Sequence, residues 1–418
     1  MRGGQTSVIG QAIRKARKKQ NWTQKQLADK LNDLRGYTHG GCGANDIYRW
    51  ETGRRSPRDW LPCLVTVLGL DLGVLGRGLA EGPQQTEADS VDRREFMGAS
   101  IGAAVPLGSA HWDGRRVGKS DVSSLRQGLV DLRRLDDFTG GAATYPLSVQ
   151  AARRTERVLD RSVYTPDIGR QILDVLAETH QFTSWTAFDA GKLPEARRLA
   201  QRASAAANQA GNRTLAASAL SELSYLTASG DDPGEAVEMA RASLTMAPAQ
   251  VMPAVRVVLA DRLAWACART GSPKGVERAV GLSEDLHDQR DARTDEEPDW
   301  VYWINRDESK IMEGRCWAEL REHNRAVPVL ENIDVPYDES HAREVALFQC
   351  WLSESYLDAG EIDQAATSAK HAVDLVKGTD SPRTDVWVSG VLRRLSDHRT
   401  VPVVRELLEH AAPPAPRA

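Results

Sequence analysis

Four residues in the string ANDIYRWE are of the types that read nucleic-acid bases: Asn45, Asp46, Tyr48 and Arg49. An amide such as Asn45 pairs bidentately with adenine and a guanidinium such as Arg49 with guanine, each pairing worth ~1–3 kcal/mol of discrimination. Asp46 either accepts from a cytosine amino group or caps the helix on which it sits. Ile47 and Trp50 fall between these polar residues at helical spacing, so the segment predicts a short helix with one apolar and one exposed face. Ala44, Asn45, Asp46, Tyr48 and Arg49 are the residues expected to meet base edges.

Such a helix needs a frame, and the flanking residues predict one. Thr23, followed three residues later by Gln26, makes a capping box, and Leu27, Ala28 and Leu31 then form an apolar stripe. Gly53 stops the short helix and Pro57 bars its continuation. An earlier helix, from about Ser7 to Gln20, turns Ile9, Ile13 and Ala16 inward and Arg14, Lys15, Lys18 and Lys19 outward. Trp22 is expected in the core, and a fourth helix places Leu61, Leu64, Val65 and Leu68 on one face. Two short helices joined by a turn, the second exposing base-reading residues, make a helix-turn-helix. Gln24, Arg54, Arg55 and Arg58, with Arg14, Lys18 and Lys19, are expected at phosphates, contacts that position a protein without reading sequence.

The residues Thr23-Gln24-x-x-Leu27-Ala28-x-x-Leu31, then Ile47-x-x-Trp50-Glu51-x-Gly53, then Pro57 and Trp60-Leu61-Pro62 with Leu68-Gly69, resemble the Cro/CI (phage-repressor, XRE-type) DNA-binding family. The resemblance covers about the first 70 residues. It implies a third helix that enters the major groove and an Arg17–Glu51 ion pair between the first and third helices. The segment from Asn32 to Gly43 is longer than the family's tight turn. It either lifts out as a loop or alters the angle between the second and third helices.

Charge agrees with a polyanion partner at one end only. Residues 1–70 hold 13 Lys and Arg against 5 Asp and Glu, a net of +8, and the remainder carries −12, giving −4 over 418 residues. A chain of this length is expected to form two or three domains. Five scattered cysteines read as reduced thiols of a cytoplasmic protein. His39 and Cys42 lack a second ligand pair, so no metal is expected, and no cofactor or catalytic motif occurs. No apolar run is long enough to span a bilayer.

The expected organisation is all-α: a Cro/CI-type helix-turn-helix domain over 1–75, a linker over 76–119, tetratricopeptide-like repeats over 120–410 and a disordered tail over 411–418. In the linker, EGPQQTEADS reads as a flexible connector. The Arg93–Arg94 string DRREFM resembles a twin-arginine export signal, yet it lies far inside the chain behind a domain. A short helix packing Phe96, Met97 and Ile101 is the reading preferred, and similar strings accompany actinobacterial members of the family.

In the body, Ala196, Ala200 and Ala203 follow Gly191 as Ala365, Ala369 and Ala372 follow Gly360. Between them lie Gly230 with Ala236 and Ala240, Gly271 with Val276, and a weaker turn at Arg321–Asn324 before Ala326. Glycine-to-glycine steps of 39, 41 and 89 residues predict five to six helix pairs, the last interval holding two longer units. These resemble tetratricopeptide repeats, an α-solenoid whose concave face is lined by the first helix of each pair. Trp185, Arg262, Trp265, Trp303, Asn305, Gln349 and Ser353 are the candidates to face a ligand there.

The function expected is a transcriptional regulator that binds double-stranded operator DNA as a homodimer and senses a peptide, small molecule or protein through its repeats. The alternative is a protein–protein adaptor whose head no longer grips DNA.

Overall fold

The computed structural model describes residues 8–35, 42–52, 57, 60–70, 112–293, 296–333, 342–376 and 381–411. Its described residues are all-α, with eighteen α-helices and no strand, apart from one isolated bridge between Arg116 and Val163. No helix among them is long and apolar enough to cross a membrane. By compactness the chain divides into two units, Met1–Thr139 with Asp160–Tyr164, and Gly140–Leu159 with Thr165–Ala418.

The first unit opens with α1 (Val8–Lys19), α2 (Gln24–Arg35), α3 (Ala44–Glu51) and α4 (Leu61–Leu68), and also contains α5 (Lys119–Thr139). The capping box forms as the spacing requires: Gln26 N donates to Thr23 Oγ1 at 3.1 Å and Thr23 N to Gln26 Oε1 at 2.8 Å. Ile9, Ile13, Leu27, Leu31, Ile47, Trp50, Leu64, Val65 and Leu68 are buried, whereas Ala16 is only half-buried. Trp22 is also half-buried rather than in the core, with the Lys30 ammonium 4.7 Å over its ring. A Cβ on Gly10 would lie 2.5 Å from the Trp50 carbonyl oxygen, so a glycine is what lets α1 cross the end of α3.

The second unit begins with α6 (Gly141–Arg161) and continues as α7 (Pro166–Asp189), α8 (Leu193–Ala210), α9 (Arg213–Ala228), α10 (Ala236–Met246), α11 (Pro253–Arg269), α12 (Pro273–Asp291), α13 (Arg306–Glu319), α14 (His323–Glu331), α15 (Ala342–Ala359) and α16 (Ile362–Val376). From α7 on, these form five successive pairs, and the first helix of each pair also packs on the first helix of the next. Two further helices, α17 (Pro382–Leu395) and α18 (Pro402–Ala411), pack on α16.

One register repeats through the pairs. The hydroxyls of Ser184, Ser224 and Ser353 donate to the carbonyls of Ala196, Ala236 and Ala365, twelve residues on, at 2.8, 2.7 and 2.7 Å. Ala264 with Val276 and Gly314 with Ala326 occupy the same spacing. Small residues are required there because the two helices nearly touch: a Cβ on Gly314 would fall 2.5 Å from Leu330. The alanine ladders expected after Gly191 and Gly360 are buried in these seams.

The turn that follows is left-handed at Gly191, Gly271 and Gly360, with φ of +73°, +67° and +82°, and Arg321 adopts the same conformation at +62°. Arg321 therefore stands where a glycine would mark the repeat. The 89-residue interval is one 50-residue step (271 to 321) and one of 39 (321 to 360), so a single unit is long. The extra residues fall after α12, where a 3₁₀ turn at Asp299–Val301 precedes α13.

Gly314→Ala is expected to destabilise the second unit by about 1–3 kcal/mol through overpacking against Leu330, despite alanine's better helix propensity. Gly281→Ala, where nothing lies within 4 Å of the new Cβ, should be neutral or stabilising. Thermal or urea unfolding of the two variants checks the contrast.

Candidate functional site

The placement of α3 is governed by one buried carboxylate. Glu51, at the end of α3, accepts from Arg17 Nε at 2.6 Å and Arg17 Nη2 at 2.9 Å, the ion pair expected between the first and third helices. Arg17 Nη1 also donates to the Trp22 carbonyl at 2.7 Å, and Gln24 Nε2 to Glu51 Oε2 at 2.8 Å. One bidentate pair thus ties α1, the turn after it, the start of α2 and the end of α3. Gln24, expected at a phosphate, is engaged inside this knot.

At its other end α3 begins with Gly43 as N-cap, whose N–H donates to Asp46 Oδ2 at 3.0 Å. Of the two roles open to Asp46, the structure contains the cap. Ala44, Asn45, Tyr48 and Arg49 are exposed on α3, Tyr48 at 41%. They form a ridge of donors, acceptors and one aromatic ring, opposite the buried Ile47 and Trp50. Arg14, Lys18 and Lys19 are exposed on α1. Arg54, Arg55 and Arg58 lie outside the described residues, as do the Arg93–Arg94 string and His39.

The long connection between α2 and α3 is closed at its base. Asn32 Oδ1 accepts from Cys42 N and Asn32 Nδ2 donates to Cys42 O, both at 2.9 Å, so one amide side chain satisfies both backbone groups of Cys42. Cys42 is buried, with its thiol 3.8 Å from the Ala28 carbonyl. Sequence reasoning saw the extra residues but not the clamp, which a lone Asn at a helix end does not announce.

In the second unit, Asp189 at the end of α7 is fully buried and accepts from Gly141 N at 2.9 Å, Ser381 Oγ at 3.0 Å and Arg343 Nη1 at 3.2 Å. The Arg383 guanidinium lies 3.2 Å away. Burial alone would raise its pKa, but Arg343, Arg383 and the two hydrogen bonds hold the carboxyl below the ordinary value. Because Arg343 begins α15 and Ser381 and Arg383 begin α17, the first pair of the array meets the last elements.

The face enclosed by this closure is filled by the protein's own side chains. Trp185, Tyr225 and Trp265 follow one another at centroid distances of 5.9 and 6.3 Å, and the Arg315 guanidinium lies 3.6 Å from the Trp265 centroid. These four residues stand one position after the close-approach site in successive pairs. Arg383 stacks on Trp185 at 5.1 Å, and Arg262 on Tyr225 at 5.2 Å. Of the residues expected to face a ligand, Trp185, Arg262 and Trp265 come together in this stack. Ser353 sits in a helix seam, Asn305 caps α13 by accepting from Glu308 N, and Trp303 is exposed, donating to the Trp300 carbonyl. Gln349 is half-buried on α15. Tyr225, Arg315 and Arg383 complete the stack and were not among the sequence candidates.

A second buried chain joins α11, α12 and α13. Ser283 and Ser309 donate to Asp261 at 2.7 Å each, and Ser309 Oγ lies 2.9 Å from His287 Nε2. In a nucleophilic triad the imidazole stands between hydroxyl and carboxylate. Here the serine does, so the chain bridges helices. Burial lifts Asp261 to about 6 against the pull of both hydroxyls and Arg262, while burial and then Arg202 lower His180 to about 4. No group of His, Cys, Asp and Glu able to hold a metal occurs among the described residues. No protein-family model matches the chain, and no curated protein shows significant similarity to it.

Two measurements test these arrangements. Glu51→Ala strands the Arg17 charge and should cost about 3–5 kcal/mol, seen as lost hydrogen-exchange protection over α1–α3 with α7–α16 unchanged. For Asp261 the raised folded pKa means the charged form is penalised above about 6, and the penalty fades as pH falls towards 3.8. Relative to Asp261→Asn, which also cancels the opposing effect of His180, the unsubstituted chain should gain on the order of 3 kcal/mol of unfolding free energy over that window.

Proposed function

We propose that this protein is a sequence-specific DNA-binding regulator, with a Cro/CI-type helix-turn-helix head and a tetratricopeptide-like body that senses a ligand or partner. The observation that carries the reading is α3: its apolar face and its terminal Glu51 are locked into the head, while Asn45, Tyr48 and Arg49 remain exposed on the opposite face. A short helix held rigidly by its back is what major-groove insertion requires, since base pairing by Asn and Arg tolerates little misplacement. The +8 charge of residues 1–70 supplies the sequence-independent attraction to phosphates.

In this reading Asn45 and Arg49 pair with base edges, Ala44 permits close approach, and Tyr48 packs against the groove. Arg14, Lys18, Lys19, Arg54, Arg55 and Arg58 neutralise phosphates. Asp46 and Gln24 act from within, the first holding the start of α3 and the second its end. Two heads would address half-sites about one DNA turn, ~34 Å, apart. The repeated Ser-to-Ala register from α7 to α16 supports the tetratricopeptide-like description of the body.

The test begins with operator selection from a random duplex pool, followed by fluorescence anisotropy over a salt series. Arg49→Ala should lose about 1–3 kcal/mol on the selected site and little on random DNA. Lys18→Ala should weaken both alike and flatten the logarithmic salt slope by about 1. Unchanged affinity in both variants would remove α3 and α1 from the interface.

A further inference from the structure

Two buried guanidiniums, Arg262 and Arg315, and the half-buried Arg383 lie along the aromatic stack, and two of the three face carboxylates. Arg383 lies against Asp189, and Arg262 acts on Glu222 and Asp261. Arg315 is 93% buried yet has no carboxylate partner among the described residues. Its cation rests on the rings of Trp265, Trp351 and Tyr225, its Nη1 donates to Tyr225 Oη at 2.5 Å, and its Nε has no partner. Taking a charge out of water without a counter-ion costs several kcal/mol, more than cation–π contacts return.

Arg315 opens on a cleft of about 140 Å³ between α13, α15 and α17, lined also by Glu319, Arg321, Trp351, Glu354 and Trp387. The other charges there are already matched. Arg321 and Arg394 bind Asp358, Arg394 also lies 3.4 Å from Glu354, and Glu319 accepts from Arg269. One positive charge is left over. Trp351, itself 94% buried, adds a second unpartnered donor in its Nε1, and its ring meets Trp387 edge-on at 5.9 Å.

We infer that this cleft binds the carboxylate of a small aromatic monoanion, with the carboxylate accepting from Arg315 Nε and Trp351 Nε1 and the ring lying against Trp351 and Trp387. A single unmatched charge suits a monoanion and not a phosphate dianion. Planar walls suit a ring; a cavity of roughly 150 Å³ accepts one benzene, so the cleft of about 140 Å³ holds the carboxylate and part of the ring, the rest projecting from its open side. Both donors are sealed from water, so a carboxylate reaches them only after a lining side chain such as the half-buried Trp387 moves. The same chemistry is offered by a free aryl acid and by the C-terminal residue of a peptide ending in Phe. This inference rests on reading the helical body as the sensing half of the protein.

The test uses the full chain and fluorine NMR of 4-fluorobenzoate, with 4-fluorobenzamide as the neutral counterpart. Saturable binding of the acid, at least tenfold tighter than the amide and not displaced by equimolar inorganic phosphate, is expected. Arg315→Gln should abolish it and Trp387→Ala weaken it severalfold; should Arg315→Gln fail to fold, the acid–amide contrast and Trp387→Ala decide. Competition by a Phe-terminated tetrapeptide as free acid, but not as C-terminal amide, assigns the site to a peptide end, and absence of competition assigns it to a free acid. Equal binding of acid and amide, or none to the folded chain, overturns the inference. So does a tyrosinate absorbance at pH 7 that disappears in Tyr225→Phe, because Arg315 would then have an internal counter-ion. Anisotropy on the same preparation keeps the two readings apart: carboxylate binding without DNA binding sustains the cleft and sinks the regulator, and the converse result does the opposite.

Discussion

The helical body depends on Asp189 more than on any other single group. A carboxylate with no solvent exposure is tolerable only if its lone pairs are taken and its charge is met. Gly141, Ser381, Arg343 and Arg383 together do both. These partners come from the start of α6, α15 and α17, between 48 and 192 residues away. Removing the carboxylate would take from Arg383 the carboxylate it lies against, while Arg343 would keep its pair with Glu344. The curvature of the intervening pairs is whatever lets α7 and α17 meet.

Closure decides what the concave face becomes. In an open array, rings and guanidiniums on the first helices would face water and offer a groove. With the ends joined, Trp185, Tyr225, Trp265 and Arg315 stack on one another instead. The serine and alanine seams make this possible, because first and second helices that nearly touch leave the inner side chains no lateral room. The hydroxyl-to-carbonyl bonds in those seams add direction to packing that apolar contacts alone would leave free to slide.

What could be read from the sequence was whatever repeats or is local. The alanine ladders, the Thr23–Gln26 box and the apolar stripes of α1 to α4 are patterns of a few residues, and apart from the half-buried Ala16 their described members appear where expected. The Arg17–Glu51 pair was legible only through resemblance. What could not be read depends on contacts far apart in the chain or on a residue in an unusual role. Nothing near Asp189 announces Arg343 or Arg383, so Trp265 and Arg262 looked like groove residues when they belong to a filled interior. Arg321 marks a repeat boundary that shows in the sequence only as a weaker turn, because an arginine gives no sign of the left-handed conformation it adopts there. Gln24 and Asp46 have the chemistry of DNA contacts and are spent on holding α3, a distinction that side-chain type alone cannot make.

The closure and the cleft share an element. On α17, Arg383 and Trp387 are one helical turn apart and so lie on the same face, the first at Asp189 and Trp185, the second against Trp351. Arg394, two turns further on, reaches Asp358 and Glu354. A helix this short moves as a rigid piece, so an event at the cleft that shifts α17 itself, and not the Trp387 ring alone, also strains the ionic seam at Asp189. Apolar seams degrade gradually as helices part, but a buried ion pair does not, since a small separation leaves both charges desolvated and unmatched. α17 is therefore the element through which an event at the cleft would be felt at the Asp189 seam.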